Sequence, residues 1–174
     1  MSAMRFASVG HSPRLLATQQ SCWTRSRNMR SRHFTGVATP VLRAELRPGE
    51  SVLDLGCGGG LDLVLAARAV GPDGRAIGID MAEPMVEPAQ DALRQLGLTW
   101  AQARVAYAES LPVPDASIDC VLANGILNLS SDKSAVLSEI RRVLKPGGRL
   151  VLAETTLRHP LPPDHVPDLE GWFT

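Results

Sequence analysis

The chain has no apolar run approaching the roughly 20 residues that a helix needs to span a bilayer, so nothing in its 174 residues reads as a membrane span. Cysteine is scarce. Cys22, Cys57 and Cys120 are an odd number without C-x-x-C spacing, which gives neither a disulfide framework nor a zinc site and fits a reducing, cytoplasmic setting. Net charge is missing as well: 18 basic and 18 acidic residues cancel. The cancellation is uneven, because residues 1–44 hold seven arginines and no acid, leaving eleven basic and eighteen acidic residues over 45–174. An acidic body argues against nucleic acid as its partner. The length suits one domain with a sizeable core and leaves no room for a second.

What is present concentrates between residues 51 and 60. The apolar pair Val52 and Leu53 leads into Asp54, and Gly56, Cys57, Gly58, Gly59 and Gly60 then form a turn before an amphipathic stretch. Glycines at a strand-to-helix turn let the main chain approach a ligand closely, while the free N–H groups opening the next helix favour a negatively charged group. Dinucleotides and S-adenosylmethionine both use such turns. Counted from Gly56, the dinucleotide fingerprint G-x-G-x-x-G requires a third glycine at position 61, which is Leu61, so a nicotinamide cofactor is disfavoured. Asp80 closes the next apolar run, Ile77 to Ile79; a carboxylate at a strand tip can accept both hydroxyls of a ribose.

Apolar periodicity predicts a short leading helix over 41–46, then strand 51–55, helix 61–70, strand 76–80 and helix 84–96. Strands 104–107 and 118–123, helix 132–144 and strand 149–154 follow. Alternation of this kind implies an α/β fold, a Rossmann-like doubly wound parallel sheet. Pro84 suits the first turn of its helix, while Pro88 removes a ladder hydrogen bond and predicts a kink. Ser130 or Ser131 can cap the last helix, with Gly147 and Gly148 as its exit turn.

Val52 to Gly60, Gly78 to Met81, and Leu144, Lys145, Pro146, Gly147 and Gly148 together resemble the class I S-adenosylmethionine-dependent methyltransferases, over residues 46–160. The resemblance implies S-adenosyl-L-methionine as cofactor, with Asp54 and the loop of Gly56, Cys57, Gly58 and Gly60 holding its methionine portion, Asp80 its ribose and Met81 its adenine. It also places Ala108, Glu109 and Asn124 at the cofactor. Tyr107 stands where relatives commonly carry an acid that contacts the adenine amino group.

Residues 123–133 and 63–71 resemble the arsenite methyltransferases in particular, a group close to the ubiquinone and menaquinone C-methyltransferases, and that likeness sets Asn124 and Asn128 beside the sulfonium. The cysteine that binds arsenic in that group corresponds to Gly125, which counts against arsenite as substrate because As(III) needs thiolates. Relatives add a helix and two strands after the position of Glu154, so the expected fold lacks its last strands. Strand 149–154 is then an exposed edge through which copies of the chain could pair.

The expected organisation is a poorly ordered basic Ser/Arg-rich extension at 1–38, the cofactor domain at 39–160, and a Pro-rich tail at 161–174 that begins an incomplete acceptor region. An alternative for the extension is a mitochondrial transit peptide. His159 and His165 lie in the tail without ligand spacing. Two functions fit: a methyltransferase for a small-molecule acceptor, or a non-catalytic cofactor-binding or partner-binding remnant of one.

Overall fold

A computed structural model describes residues 37–156. The expected extension, apart from Val37 and Ala38, and the Pro-rich tail lie outside the described residues, as do Cys22, His159 and His165. Five strands, β1 (Ser51–Leu55), β2 (Arg75–Asp80), β3 (Ala101–Val105), β4 (Ile118–Asn124) and β5 (Leu144–Ala153), form one sheet. Their order is β3-β2-β1-β4-β5 and every pairing is parallel. Among the described residues four helices accompany them: α1 (Leu61–Val70), α2 (Glu83–Gln95), the single turn α3 (Ile126–Leu129) and α4 (Lys133–Val143).

The central strands β1, β2 and β4 are apolar on both faces because both faces are covered there, as in buried parallel sheets. Successive side chains alternate sides. From β1 and β4, Leu53, Leu55, Val121 and Ala123 point towards Val136, Ile140 and Val143 of α4. Val52, Cys120 and Leu122 point the opposite way, towards Ala66 and Val70 of α1. Helix α2 packs beside α1 through Val86, Ala89, Ala92 and Leu93. The chain therefore winds outwards from β1 to β3, crosses back, and winds outwards again through β4 and β5. Strand order reverses between β1 and β4, and sheets of this kind bind ligands beyond the carboxyl ends of the strands at such a switch point.

Several expectations shift. The leading helix is a single 3-10 turn, Pro40–Arg43, closed by Glu45 at a φ of 47°. β3 starts three residues earlier than expected, with Ala101 opposite Ala76. The cap of α4 is Asp132, whose carboxylate accepts the Ala135 N–H at 2.9 Å, rather than Ser130 or Ser131. Ser130 instead donates to Glu109 Oε1 at 2.6 Å. The glycine pair expected as an exit turn lies within β5, where the register with β4 slips between Ile118 and Cys120. α2 runs continuously through Pro88. Among the described residues β5 pairs with β4 alone, with Leu152 exposed.

The lower end of the sheet is tied by charge. Arg149 bridges to Glu50 at 2.7 and 2.9 Å and donates to the carbonyl oxygens of Ala44 and Glu45. Lys145 meets Asp119 at 2.7 Å, and that carboxylate also accepts the Ser51 N–H. Arg142 gathers Glu139, Asp115 and the carbonyl oxygens of Leu111 and Val113. No helix among the described residues is long and apolar enough to cross a membrane.

Candidate functional site at the strand switch point

The loop after β1 is shaped by its glycines. Gly56, Gly58 and Gly60 all have positive φ, at 72°, 49° and 86°, a region that side chains make costly. Two of them also face close neighbours: a Cβ on Gly60 would lie 2.8 Å from Ala89 Cβ, and one on Gly56 would lie 3.1 Å from Ile126 Cδ1. The loop is anchored to β2, because the N–H groups of Gly56 and Cys57 both donate to the Ile79 carbonyl oxygen. It is therefore a fixed cradle between α2 on one side and α3 on the other.

Three carboxylates surround it. Asp80, at the tip of β2, accepts the Gly58 N–H on Oδ2 and the Ala82 N–H on Oδ1, each at 2.9 Å. Both oxygens are held in place and each keeps acceptor capacity. Asp54, in β1, is 2 % exposed; its Oδ2 has no hydrogen-bond partner. Burial pushes its carboxyl well above the usual range, the charges of Asp62 and Asp80 add to that, and the Leu63 N–H works against it.

Asp62, in the first turn of α1, is 5 % exposed and its Oδ1 is also unpartnered. Burial pushes its carboxyl up to about 6, against the pull of the Asn124 amide and the Val41 N–H. Sequence reading passed over Asp62, because an acid in a helix's first turn is the usual complement to the helix dipole. The missed signal is its spacing: residues 62, 66 and 70 form one buried stripe of α1, which turns Asp62 inward.

Asn124, at the tip of β4, joins the loops to the segment that precedes β1. Its Oδ1 accepts the N–H groups of Val37 and Ala38 at 2.8 and 3.3 Å, while Nδ2 donates to the Ala38 carbonyl oxygen at 2.6 Å and to Asp62 Oδ2 at 3.2 Å. Asn128 is turned elsewhere and donates to the Thr155 carbonyl oxygen. Met81 is 63 % exposed and Tyr107 65 %, both on the loops that leave β2 and β3. Ala108 packs against the core and Glu109 is fixed by Ser130. Glu154, just past β5, accepts the Leu127 N–H at 2.7 Å while its other oxygen is buried and unpartnered.

Neither described cysteine is poised as a nucleophile. Cys57 is buried beneath the loop, and burial, aided by the charges of Asp54 and Asp80, drives its thiol far above its ordinary value. Burial pushes the Cys120 thiol up to about 11. Gly125, with φ at 78°, caps α3 in the left-handed region, where a cysteine would be strained. The rim thus joins strand-tip carboxylates and the exposed side chains of Met81 and Tyr107, a setting suited to an adenosine-type ligand that carries positive charge.

Residues 46–172 match the family described as "Methyltransferase domain". The chain is 39 % identical over 129 residues to the arsenite methyltransferase of Halobacterium salinarum, a match covering 74 % of this chain and 33 % of that protein. It is 41 % identical over 110 residues to the ubiquinone/menaquinone biosynthesis C-methyltransferase of Pasteurella multocida, covering 63 % and 41 %. A crystal structure of an arsenic(III) S-adenosylmethionine methyltransferase from Chlamydomonas reinhardtii superimposes with a TM-score of 0.67 at 34 % identity, covering 81 % of this chain and 48 % of that one. The chain spans about a third to a half of the length of the curated relatives it matches.

Proposed function

Because this chain belongs to the S-adenosylmethionine-dependent methyltransferase family, we propose that residues 39–160 bind S-adenosyl-L-methionine in the crevice between β1 and β4 and pass its methyl group to a small-molecule acceptor. The observation that carries the reading is Asp80, clamped by the N–H groups of Gly58 and Ala82 so that its remaining lone pairs meet a ribose. The unpartnered oxygens of Asp54 and Asp62 fit the positively charged methionine end. Met81 lies along the adenine in this reading, with Ala108, Glu109 and the exposed ring of Tyr107 opposite.

Bound there, the cofactor supplies a methyl group already activated by its sulfonium. The chain's own task is orientation, which can contribute on the order of 7 to 11 kcal/mol to such a reaction. The loops after β1, β2 and β4 fix the cofactor's position, and the exposed wall beside α3 receives the acceptor.

The relatives' names include arsenite and quinone methyltransferases, and the described residues favour an acceptor that needs no thiolate. As(III) is soft and binds sulfur, yet Cys57 and Cys120 are buried with their thiols pushed up and Gly125 takes the place of a third. A phenolic or quinol acceptor suits this rim better. A second reading, cofactor binding without turnover, draws on the acceptor side, where β5 is the last described strand and pairs only with β4. Chain beyond β5, or a second copy paired along it, would complete the acceptor side.

Calorimetry with S-adenosylmethionine tests the cofactor; no binding at millimolar concentration would sink both readings. Transfer of labelled methyl to a panel of phenols and quinols, run beside arsenite with excess thiol, then separates them. Methylation of a phenol supports turnover, methylation of arsenite alone reverses the acceptor assignment, and binding without transfer supports the second reading.

A further inference from the structure

We propose that Asp62 is a second ionic anchor of the cofactor pocket, its carboxylate receiving the ammonium group at the methionine end of the ligand beside Asp54. The inference rests on the cofactor reading above and adds a residue to it. Asp62 is buried and half satisfied: Oδ2 accepts the Asn124 amide, the Val41 N–H also donates to the carboxylate, and Oδ1 has no partner. Asp54 shows the same pattern, with Oδ2 unpartnered. A buried polar atom left without a partner is costly, and two such oxygens at one loop demand an explanation.

The groups that face them narrow it. β1 contributes Asp54, β2 contributes Asp80, the glycine loop contributes the Cys57 thiol, β4 contributes the uncharged Asn124, and the segment before β1 contributes a main-chain N–H. The ionisable groups among these all become negative on losing a proton. Two neighbouring buried carboxylates do not both ionise readily, so a proton shared by the pair is favoured while no cation lies near them. A cation placed between them removes the repulsion and the desolvation penalty together.

The cofactor brings two cations. The sulfonium has no hydrogen to donate, whereas the ammonium carries three N–H groups, which is what unpartnered oxygens require. The arrangement also matches direction, because Asp80 marks the ribose at the tip of β2 while Asp54 lies in the neighbouring strand β1 and Asp62 in the first turn of α1. Binding then converts a carboxylic acid and an ammonium into a carboxylate–ammonium pair and releases the acid's proton to the buffer.

The test compares three ligands on the 174-residue chain by calorimetry: S-adenosylmethionine, S-adenosylhomocysteine, which keeps the ammonium and lacks the sulfonium, and 5′-methylthioadenosine, which lacks the ammonium and the carboxylate. Asp62→Asn preserves size and an acceptor for the Val41 N–H. It is expected to weaken the first two ligands by about tenfold while changing the third by less than about twofold, as loss of a charge-assisted hydrogen bond predicts. Repeating the titration near pH 6 in buffers of different ionisation enthalpy should show proton release by the wild type and less by Asp62→Asn.

An equal loss for all three ligands would show that Asp62 only holds the segment before β1, and overturns the proposal. Unchanged affinity for S-adenosylhomocysteine overturns it as well. Asp62→Glu keeps the charge and should restore part of the preference for S-adenosylhomocysteine over 5′-methylthioadenosine, even where Asp62→Asn lowers stability. Should the wild type bind none of the three, the cofactor reading itself fails; binding by the wild type with no selective loss in either variant removes the Asp62 assignment alone.

Discussion

The two ends of the sheet hold their acids in opposite states. At the amino ends of the strands, Glu50 and Asp119 each meet a cation from β5, and Glu139 meets Arg142 one turn further along α4. The Arg149 guanidinium holds Glu50 below its ordinary value, and Arg142 does the same for Glu139. For Asp119 burial pulls upward but the Lys145 ammonium and the Ser51 N–H outweigh it. At the carboxyl ends, Asp54 and Asp62 are buried beside one another and pushed upward. One end uses charge to fasten the fold; the other retains unmatched negative charge at a stability cost, as binding sites do.

The contrast breaks most sharply at Arg149. Arg149→Ala leaves the Glu50 carboxylate half-buried and removes the donor to two carbonyl oxygens, so unfolding by urea should show a loss of about 3 to 4 kcal/mol. Cofactor affinity should hold within about twofold of the wild type; a parallel fall in affinity would show that the two ends are not independent.

Acidity should move the ends in opposite directions. For Asp62 the folded value, about 6, exceeds the ordinary one near 3.9, so the folded chain binds the extra proton between about pH 4 and pH 6 and its stability falls as pH rises through that window. The full amplitude is at most about 3 kcal/mol, and Asp54, also pushed upward, acts in the same direction. Glu50, Asp119 and Glu139 act in reverse: their contribution is complete at neutral pH and disappears as pH drops through their lowered values. Thermal melting of the ligand-free chain across pH 5 to 7 should therefore be flatter in Asp62→Asn than in the wild type. Identical slopes would remove the carboxyl end's share of the contrast.

Asp80→Ala should weaken S-adenosylmethionine by about 1.5 to 3 kcal/mol, the cost of losing hydrogen bonds to a charged group, with little change in urea midpoint. Calorimetry that returned wild-type affinity would move the ribose away from β2. The smallest effect belongs to neither end: Asp132→Ala removes the α4 cap and should cost about 1 kcal/mol without touching ligand affinity.

Where the sequence was informative, the pattern had a simple physical origin. β1, α1 and the end of β2 were readable because continuous apolar runs stop at Asp54 and Asp80 and glycines follow the first. β3 was misplaced because it is an edge strand in which only Ala103 is buried, so no alternation marks its limits. α3 was missed because four residues carry no period. The cap of α4 went to Asp132 since Ser130 is occupied by Glu109, a tertiary contact that spacing alone does not reveal. For the site, Asp54 and Asp80 announce themselves by position, whereas Asp62 depends on which stripe of α1 faces inward and Asn124's partners, Val37, Ala38 and Asp62, converge only once the chain has folded.

The strand order β3-β2-β1-β4-β5 has a consequence for how the molecule is made. A ribosome emits β1, β2 and β3 first, and these can pair among themselves through short local crossovers. The other edge of β1 waits until residues 118–124 have emerged, a partner some 65 residues downstream whose capture carries a larger loop-closure entropy. Until then an apolar central strand presents an open ladder, a condition that slows folding and invites association with other chains. The junction of β1 and β4 consequently forms only after the β1-β2-β3 half of the sheet can already be in place, and β5 is added to it later still.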